Sequence, residues 1–264
     1  MSLVPTMGAL HAGHLSLVAE AGRISDHVAV SIFINPAQFG PNEDYLKYPK
    51  PLNHDLGLLA ESGVGSVFVP EVTELYSPGF QTFVSVEELG QKLCGASRPI
   101  HFRGVATVVL KLLNLVQPDI AIFGQKDFQQ CVLIRRMVKD LNLDTRIVVS
   151  SIVREADGLA CSSRNQYLTS QERQAATLLY RCLEWARQKV EDGETEARKL
   201  LEAVEDRIRA EPLARLDYAE IINEETLDPD PFVRNSSVLA LAVFIGKTRL
   251  IDNIVLQRSR VEEH

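Results

Sequence analysis

The chain of 264 residues is 45% hydrophobic and 24% charged, a globular balance that excludes a disordered, collagenous or coiled-coil polymer. A net charge of −7 removes the overall basic footprint of a nucleic-acid binder, and apolar runs such as 28–34 and 238–245 fall short of the ~18 residues a membrane-spanning helix needs. The opening Met1-Ser2-Leu3-Val4-Pro5 carries no secretory signal pattern, and Cys94, Cys131, Cys161 and Cys182, with no C-x-x-C pair, point to reduced thiols in a cytoplasmic protein.

In chain order, Leu3-Val4 reads as the tail of a first strand, and β-branched runs at 28–34, 66–69, 120–123 and 146–149 read as further strands. Between them, Val105, Val108, Val109, Leu112, Leu113 and Val116 share one helical face, and Phe128, Cys131, Ile134, Met137, Val138 and Leu141 another. This alternation predicts a doubly wound parallel sheet over residues 1–152. From 153 to 264 the pattern changes. Helices fill 170–209, with Leu178, Leu179, Cys182, Ala186 and Val190 on one stripe and Leu200, Leu201, Val204 and Ile208 on another. Strand-like runs follow at 217–223, 237–245 and 249–254, with Gly246-Lys247 as a tight hairpin turn, so a smaller α+β domain on an antiparallel sheet is expected.

Ligands of open α/β sheets bind at the carboxyl ends of strands, and polar residues gather there. After the first strand comes Pro5-Thr6-Met7-Gly8-Ala9-Leu10-His11-Ala12-Gly13-His14. Gly8 and Gly13 allow close approach of backbone to a ligand, and a helix beginning near His14 would aim amides at phosphate. His11 and His14 are spaced to face one cavity. A zinc site would need a third ligand, and helix capping is the bland alternative. Gly124-Gln125-Lys126-Asp127 offers an ammonium for phosphate and a carboxylate for ribose or Mg²⁺, or merely an N-cap beside a solvated lysine. Asn35 and Gln38 supply amides, or a strand-ending turn. Ser162-Ser163-Arg164 suits a triphosphate, or is a surface loop before the helix near Ser170. Gly63-Val64-Gly65 lacks the rest of a dinucleotide fingerprint.

Those segments, with Gly95-Ala96-Ser97-Arg98-Pro99, His101-Phe102-Arg103-Gly104-Val105, Lys126-Asp127-Phe128-Gln129-Gln130, Ser162-Ser163-Arg164-Asn165 and Arg249-Leu250-Ile251-Asp252-Asn253, resemble the pantothenate synthetase family in order along almost the whole chain. The resemblance implies a two-domain homodimer with a Rossmann-like N-terminal domain and a smaller C-terminal lid. It implies a ligase that joins pantoate to β-alanine through a pantoyl adenylate, consuming ATP with Mg²⁺ and releasing AMP and pyrophosphate. Carried over by position, it assigns ATP to Met7, Gly8, His11, Gly13, His14, Gly124, Gln125, Lys126, Asp127, Val153, Cys161, Ser162, Ser163 and Arg164. Pantoate falls to Gln38 and Gln130, with Asn35, Pro5, Thr6 and Met7 around it, and Gln38 also lies near the β-alanine path. His14, His11, Lys126 and Arg164 form the catalytic set, with His14 as proton donor. No nucleic-acid or membrane partner is implied. Gln125, Cys94 and Ile100 depart from the family's usual Glu, Glu and Gly, and the chain starts inside the first strand where relatives carry an upstream helix. The rivals are another adenylyl transferase of the H-x-G-H superfamily and a non-catalytic nucleotide-binding module; a tRNA-charging role lacks a basic extension.

Overall fold

The computed structural model describes residues 1–41 and 43–257. They divide into two compact units, one ending at Val153 and the other starting at Arg154.

The first unit runs β1 (Ser2–Thr6), α1 (Ala12–Ile24), β2 (Val28–Ile32), α2 (Leu52–Glu61), β3 (Ser66–Phe68), α3 (Val72–Leu75), α4 (Cys94–Ser97), α5 (His101–Val116), β4 (Ile120–Gly124), α6 (Phe128–Asp140) and β5 (Arg146–Ser150). Its five strands are all parallel and lie in the order β3-β2-β1-β4-β5. The sheet is the expected Rossmann-like one. β2 is buried along its whole length, as a continuous Val/Ala/Ile run between two layers must be. It stops at Ile32 rather than at residue 34: Phe33 N–H still bonds to the Thr6 carbonyl, but Asn35-Pro36 then turns the chain away. The α5 stripe is buried through Leu113. Leu141, expected on the buried face of α6, is 46% exposed, because it lies past the last helical turn where Asn142 takes a left-handed φ of +53°.

The second unit contains α7 (Ser170–Ala176), α8 (Leu178–Glu191), α9 (Ala197–Arg209), β6 (Ala214–Asn223), β7 (Ser237–Ile245) and β8 (Thr248–Leu256). Thr169 starts α7 with a reciprocal capping box to Glu172. The apolar stripes of α8 and α9 share one core with the antiparallel β6-β7-β8 sheet, β7 being buried at nearly every position. β6 and β8 are longer than their apolar runs suggested, because antiparallel pairing with β7 carries Ala214–Leu216 and the ends of β8 into the ladder. Gly246, at φ +56°, and Lys247 close the β7–β8 hairpin between the paired Ile245 and Thr248.

Candidate active site

The strand order reverses direction at the boundary between β1 and β4, the kind of switch point beyond which open α/β sheets bind their ligands. Two of the segments marked by the sequence, 7–14 and 124–127, leave these two strands. The first is held in an unusual shape. Gly8 and Ala9 both adopt left-handed backbone, φ +77° and +50°, a conformation costly for alanine. Thr6 Oγ1 accepts from Gly8 N–H at 3.2 Å and donates to the Ser31 carbonyl at 2.8 Å. Asp55, on α2 and 1% exposed, accepts from Ala9 N–H at 2.8 Å and Leu10 N–H at 2.9 Å. Nothing in the sequence around Asp55 signals this role; it follows only from the fold.

Helix α1 begins at Ala12, two residues before His14, with His11 as its N-cap. His11 Nδ1 accepts from Gly13 N–H at 3.2 Å, and the amides of His14 and Leu15 bond to the His11 carbonyl. With the Ala9 and Leu10 amides also engaged by Asp55, the backbone of this segment is largely committed internally. Side chains are what it offers to a ligand. The rings of His11 and His14 lie 4.1 Å apart. His11 thus caps the helix, as the bland reading of the pair expects, while its ring still lies beside that of His14.

His14 Nδ1 is buried without a hydrogen-bond partner. Loss of hydration pushes the pKa of His14 down to about 3; neighbouring His11 and Lys126 add to the fall, and Asp127 opposes it. The free protein thus holds His14 as neutral imidazole. In that state the ring offers a hydrogen bond rather than a positive charge. Lys126 and Asp127 occupy a 3-10 turn leading into α6, with Lys126 Nζ 3.7 Å from Asp127 Oδ2. Asp127 stands at the N-cap position of α6 without capping it, so capping does not explain the residue.

His101 is likewise held down, to about 4, by burial and by the Arg98 charge. Both rings bind fewer protons folded than unfolded, so each should add about 1.4 kcal/mol of stability per pH unit as pH rises toward the ordinary histidine value near 6.5. Above that value the contribution levels off. Urea unfolding of the ligand-free protein should therefore show stability falling from pH 6.5 to pH 5, with net proton uptake on unfolding. A flat profile across that window would contradict the neutral assignments.

The second polar cluster lies at the end of β2. Gln38 is buried in a 3-10 turn whose first cap is Asn35. Gln38 Nε2 points to the Met7 sulfur at 3.2 Å, joining this turn to the nucleotide-type segment. Its backbone carbonyl is gripped from α5 and the segment before it: His101 Nδ1 lies 2.9 Å away and Arg98 Nη2 3.4 Å away. Arg98 also forms a two-pronged ion pair with Glu43, Nε to Oε1 being 2.6 Å. Arg98 and His101 sit in segments that the sequence marked without a role; the structure makes them supports for Gln38. Asn35 and Thr6, expected around a ligand, instead spend their hydrogen bonds on the chain itself. Pro5 lies within β1, opposite Ser31. On α6 the two glutamines part company. Gln129 is buried and binds Cys94 N–H and the carbonyls of Leu89 and Lys92, whereas Gln130 is half-buried.

Gly124, Gln125 and Val153 are half-buried in the first unit. In the second unit, Arg154 bridges to Ala160, and the chain passes directly into half-buried Cys161-Ser162-Ser163-Arg164. Ser162 Oγ accepts from Arg164 N–H at 3.3 Å, so the loop is locally ordered. Asn165 Nδ2 donates to Glu155 and to the Ala160 carbonyl. Behind the loop, Arg154 makes a bidentate pair with buried Asp252 at 2.6 and 3.0 Å, which gives the Arg249–Asn253 motif a structural purpose. Among the described residues no cluster of three His, Cys, Asp or Glu could hold a metal ion by itself, and no helix is long and apolar enough to cross a membrane. All four cysteines are free thiols.

A family profile described as pantoate-beta-alanine ligase matches residues 1–255. The pantothenate synthetase of Caldicellulosiruptor saccharolyticus is 53% identical over 257 residues, covering 97% of this chain and 92% of that one. A crystal structure of pantothenate synthetase from Thermus thermophilus superposes with a TM-score of 0.94 at 46% identity, over 97% of this chain and 93% of that chain. Pantoate-beta-alanine ligase from Francisella tularensis, solved with β,γ ATP and β-alanine, gives a TM-score of 0.79 at 38% identity, over 96% and 88% of the two chains.

Proposed function

The chain belongs to the pantoate–β-alanine ligase family, and from that premise we propose how its residues share out the reaction. The enzyme joins pantoate to β-alanine with ATP, through a pantoyl adenylate, releasing AMP and pyrophosphate. A carboxylate does not acylate an amine unaided, so the order of steps follows from the chemistry. Pantoate's carboxylate oxygen attacks the α-phosphorus in line, and the bond to pyrophosphate breaks. β-Alanine's amine then attacks the carbonyl of the mixed anhydride, loses a proton and displaces AMP.

His11, His14, Lys126 and Arg164 meet the negative charge that builds on the phosphates. Ser162 and Ser163 add hydroxyl donors, while Met7, Gly8, Gly13, Gly124, Gln125, Val153 and Cys161 line the nucleotide. Gln38 and Gln130 hydrogen-bond pantoate, with Met7 and Pro5 beside them, and Gln38 also faces the β-alanine path. Asn35 and Thr6 position this wall rather than touch the substrate, since their hydrogen bonds are used within the chain. Mg²⁺ commonly binds through one or two carboxylates together with substrate phosphates, and Asp127 fits that need as a half-exposed carboxylate beside Lys126. Bound there, Mg²⁺ would neutralise phosphate charge. A cytoplasmic homodimer belongs to the same reading, on the strength of the family resemblance.

The observation that carries the assignment is His14, a neutral ring with an unpartnered buried nitrogen beside His11 and near Lys126. The test is ATP–pyrophosphate exchange without β-alanine. Exchange should require pantoate, and adding β-alanine should then release AMP. Exchange that ignores pantoate, or AMP release that ignores β-alanine, would point to another adenylyl transfer.

A further inference from the structure

We propose that Tyr76 is a positioning residue for substrate recognition, acting through Asn35 to fix which end of the Gln38 amide faces the substrate. The proposal rests on the reading of Gln38 as a pantoate ligand. Tyr76 follows the short helix α3, and its ring packs between Phe33 and Phe80, with centroids 6.3 and 5.0 Å away. Its hydroxyl donates to Asn35 Oδ1 at 2.8 Å, an atom that also accepts from Ala37 N–H at 3.2 Å. On the other side, Asn35 Nδ2 donates to the Gly104 carbonyl at 3.1 Å and to Gln38 Oε1 at 3.0 Å.

Every hydrogen-bonding position of the Asn35 amide is therefore taken, with two bonds received and two given. Turning the amide over would set its NH₂ against the Ala37 N–H and its oxygen against the Gly104 carbonyl. Asn35 has one polarity only, and it passes that polarity on. With Gln38 Oε1 turned to the Asn35 NH₂, the end turned away from Asn35 is the Gln38 NH₂, whose contact among the described residues is the Met7 sulfur, a weak acceptor. Gln38 thus presents donors to the substrate, and the matching atom is an acceptor oxygen, such as a carboxylate or hydroxyl oxygen of pantoate. Tyr76 supplies the bond at the origin of this chain. Burial, opposed by the Asn35 hydrogen bond, pushes its hydroxyl up to about 12, so it keeps its proton through the working range.

Tyr76→Phe removes the donor and keeps the ring. With folding checked by thermal unfolding, it should raise the pantoate KM about tenfold, the size of one net hydrogen bond, and leave kcat and the ATP KM within twofold. Gln38→Ala should raise the pantoate KM at least as much, and Tyr76→Phe added to Gln38→Ala should do nothing more. A normal pantoate KM in Tyr76→Phe alongside a raised one in Gln38→Ala would overturn the relay while keeping Gln38 as a ligand. Independent, multiplying effects would also overturn it, since Tyr76 would then act by another route. An unchanged pantoate KM in Gln38→Ala would remove the reading of Gln38, and the proposal with it.

Discussion

Replacing His14 by alanine should lower the turnover number by about a hundred- to a thousandfold, the usual cost of losing one preorganised donor to transition-state charge. The ring fits that role by position and by state. It lies in the first turn of α1, just after β1, with its ring 4.1 Å from that of His11, and its buried Nδ1 has no partner among the described residues. A neutral imidazole can give a hydrogen bond to charge that appears only as the phosphate bonds rearrange, without first being stripped of hydration. The pantoate KM should change little, because pantoate is assigned to other residues. The pH dependence separates a hydrogen-bond donor from a proton donor. Since kcat/KM reports the free enzyme, and His14 there stays neutral down to about pH 3, kcat/KM for ATP should not fall between pH 6.5 and 8 through deprotonation of this ring. Near-normal turnover of His14→Ala would reject the role, as would a loss with rising pH that disappears in that variant.

Gly104→Ala should act on the substrate wall from beneath. A Cβ at this position would lie 2.3 Å from the Ala37 carbonyl oxygen, 2.4 Å from its carbon and 2.6 Å from Gln38 N. All three atoms are backbone, so no rotamer change relieves the clash. Either α5 withdraws or the turn at Pro36–Gln38 moves, and the Asn35 bond to the Gly104 carbonyl stretches with it. Overpacking of this kind costs about 1–3 kcal/mol, measurable by urea unfolding. The pantoate KM should rise by more than about tenfold, because a 1 Å displacement of a binding group can cost a hundredfold. Gly57→Ala is the control: it lies in helix α2 with nothing within 4 Å of the added carbon, and should be neutral or stabilising by about 0.4–1 kcal/mol. Equal behaviour of the two variants would mean that α5 does not brace the turn.

What could be read from the chain alone was whatever depends on neighbours in sequence. Strands such as Val28–Ile32 announce themselves by β-branched runs, and glycine, histidine and lysine directly after a strand mark the ligand end of an open sheet. The roles of Asn35 and Thr6 were not legible in this way. Asn35 is saturated by Tyr76 and Gly104, which lie 41 and 69 residues further on, and Thr6 by Ser31, 25 residues on. Only tertiary structure tells a polar residue that meets a ligand from one that holds its neighbour. Asp55 was invisible for the same reason, since a carboxylate in an amphipathic helix gives no sign that it will be buried under a turn. The cap of α1 is hard to read because histidine is an unusual N-cap, and its Nδ1 does here what a serine or aspartate oxygen normally does.

The turn after β1 carries a consequence for the order in which the protein takes shape during synthesis. Two successive left-handed residues do not persist in an isolated peptide, and the carboxylate that binds the Ala9 and Leu10 amides comes 46 and 45 residues later in the chain. β1 is also the central strand, flanked by β2 on one side and by β4, more than a hundred residues onward, on the other. A growing chain therefore displays the two histidines well before anything exists to shape or face them. Until Asp55 has docked and β4 has closed the sheet, that segment is an exposed strand edge followed by an unformed loop, open to wrong pairings. Nucleotide recognition is thus among the last properties the first unit acquires, although the residues that open it are among the first to be made.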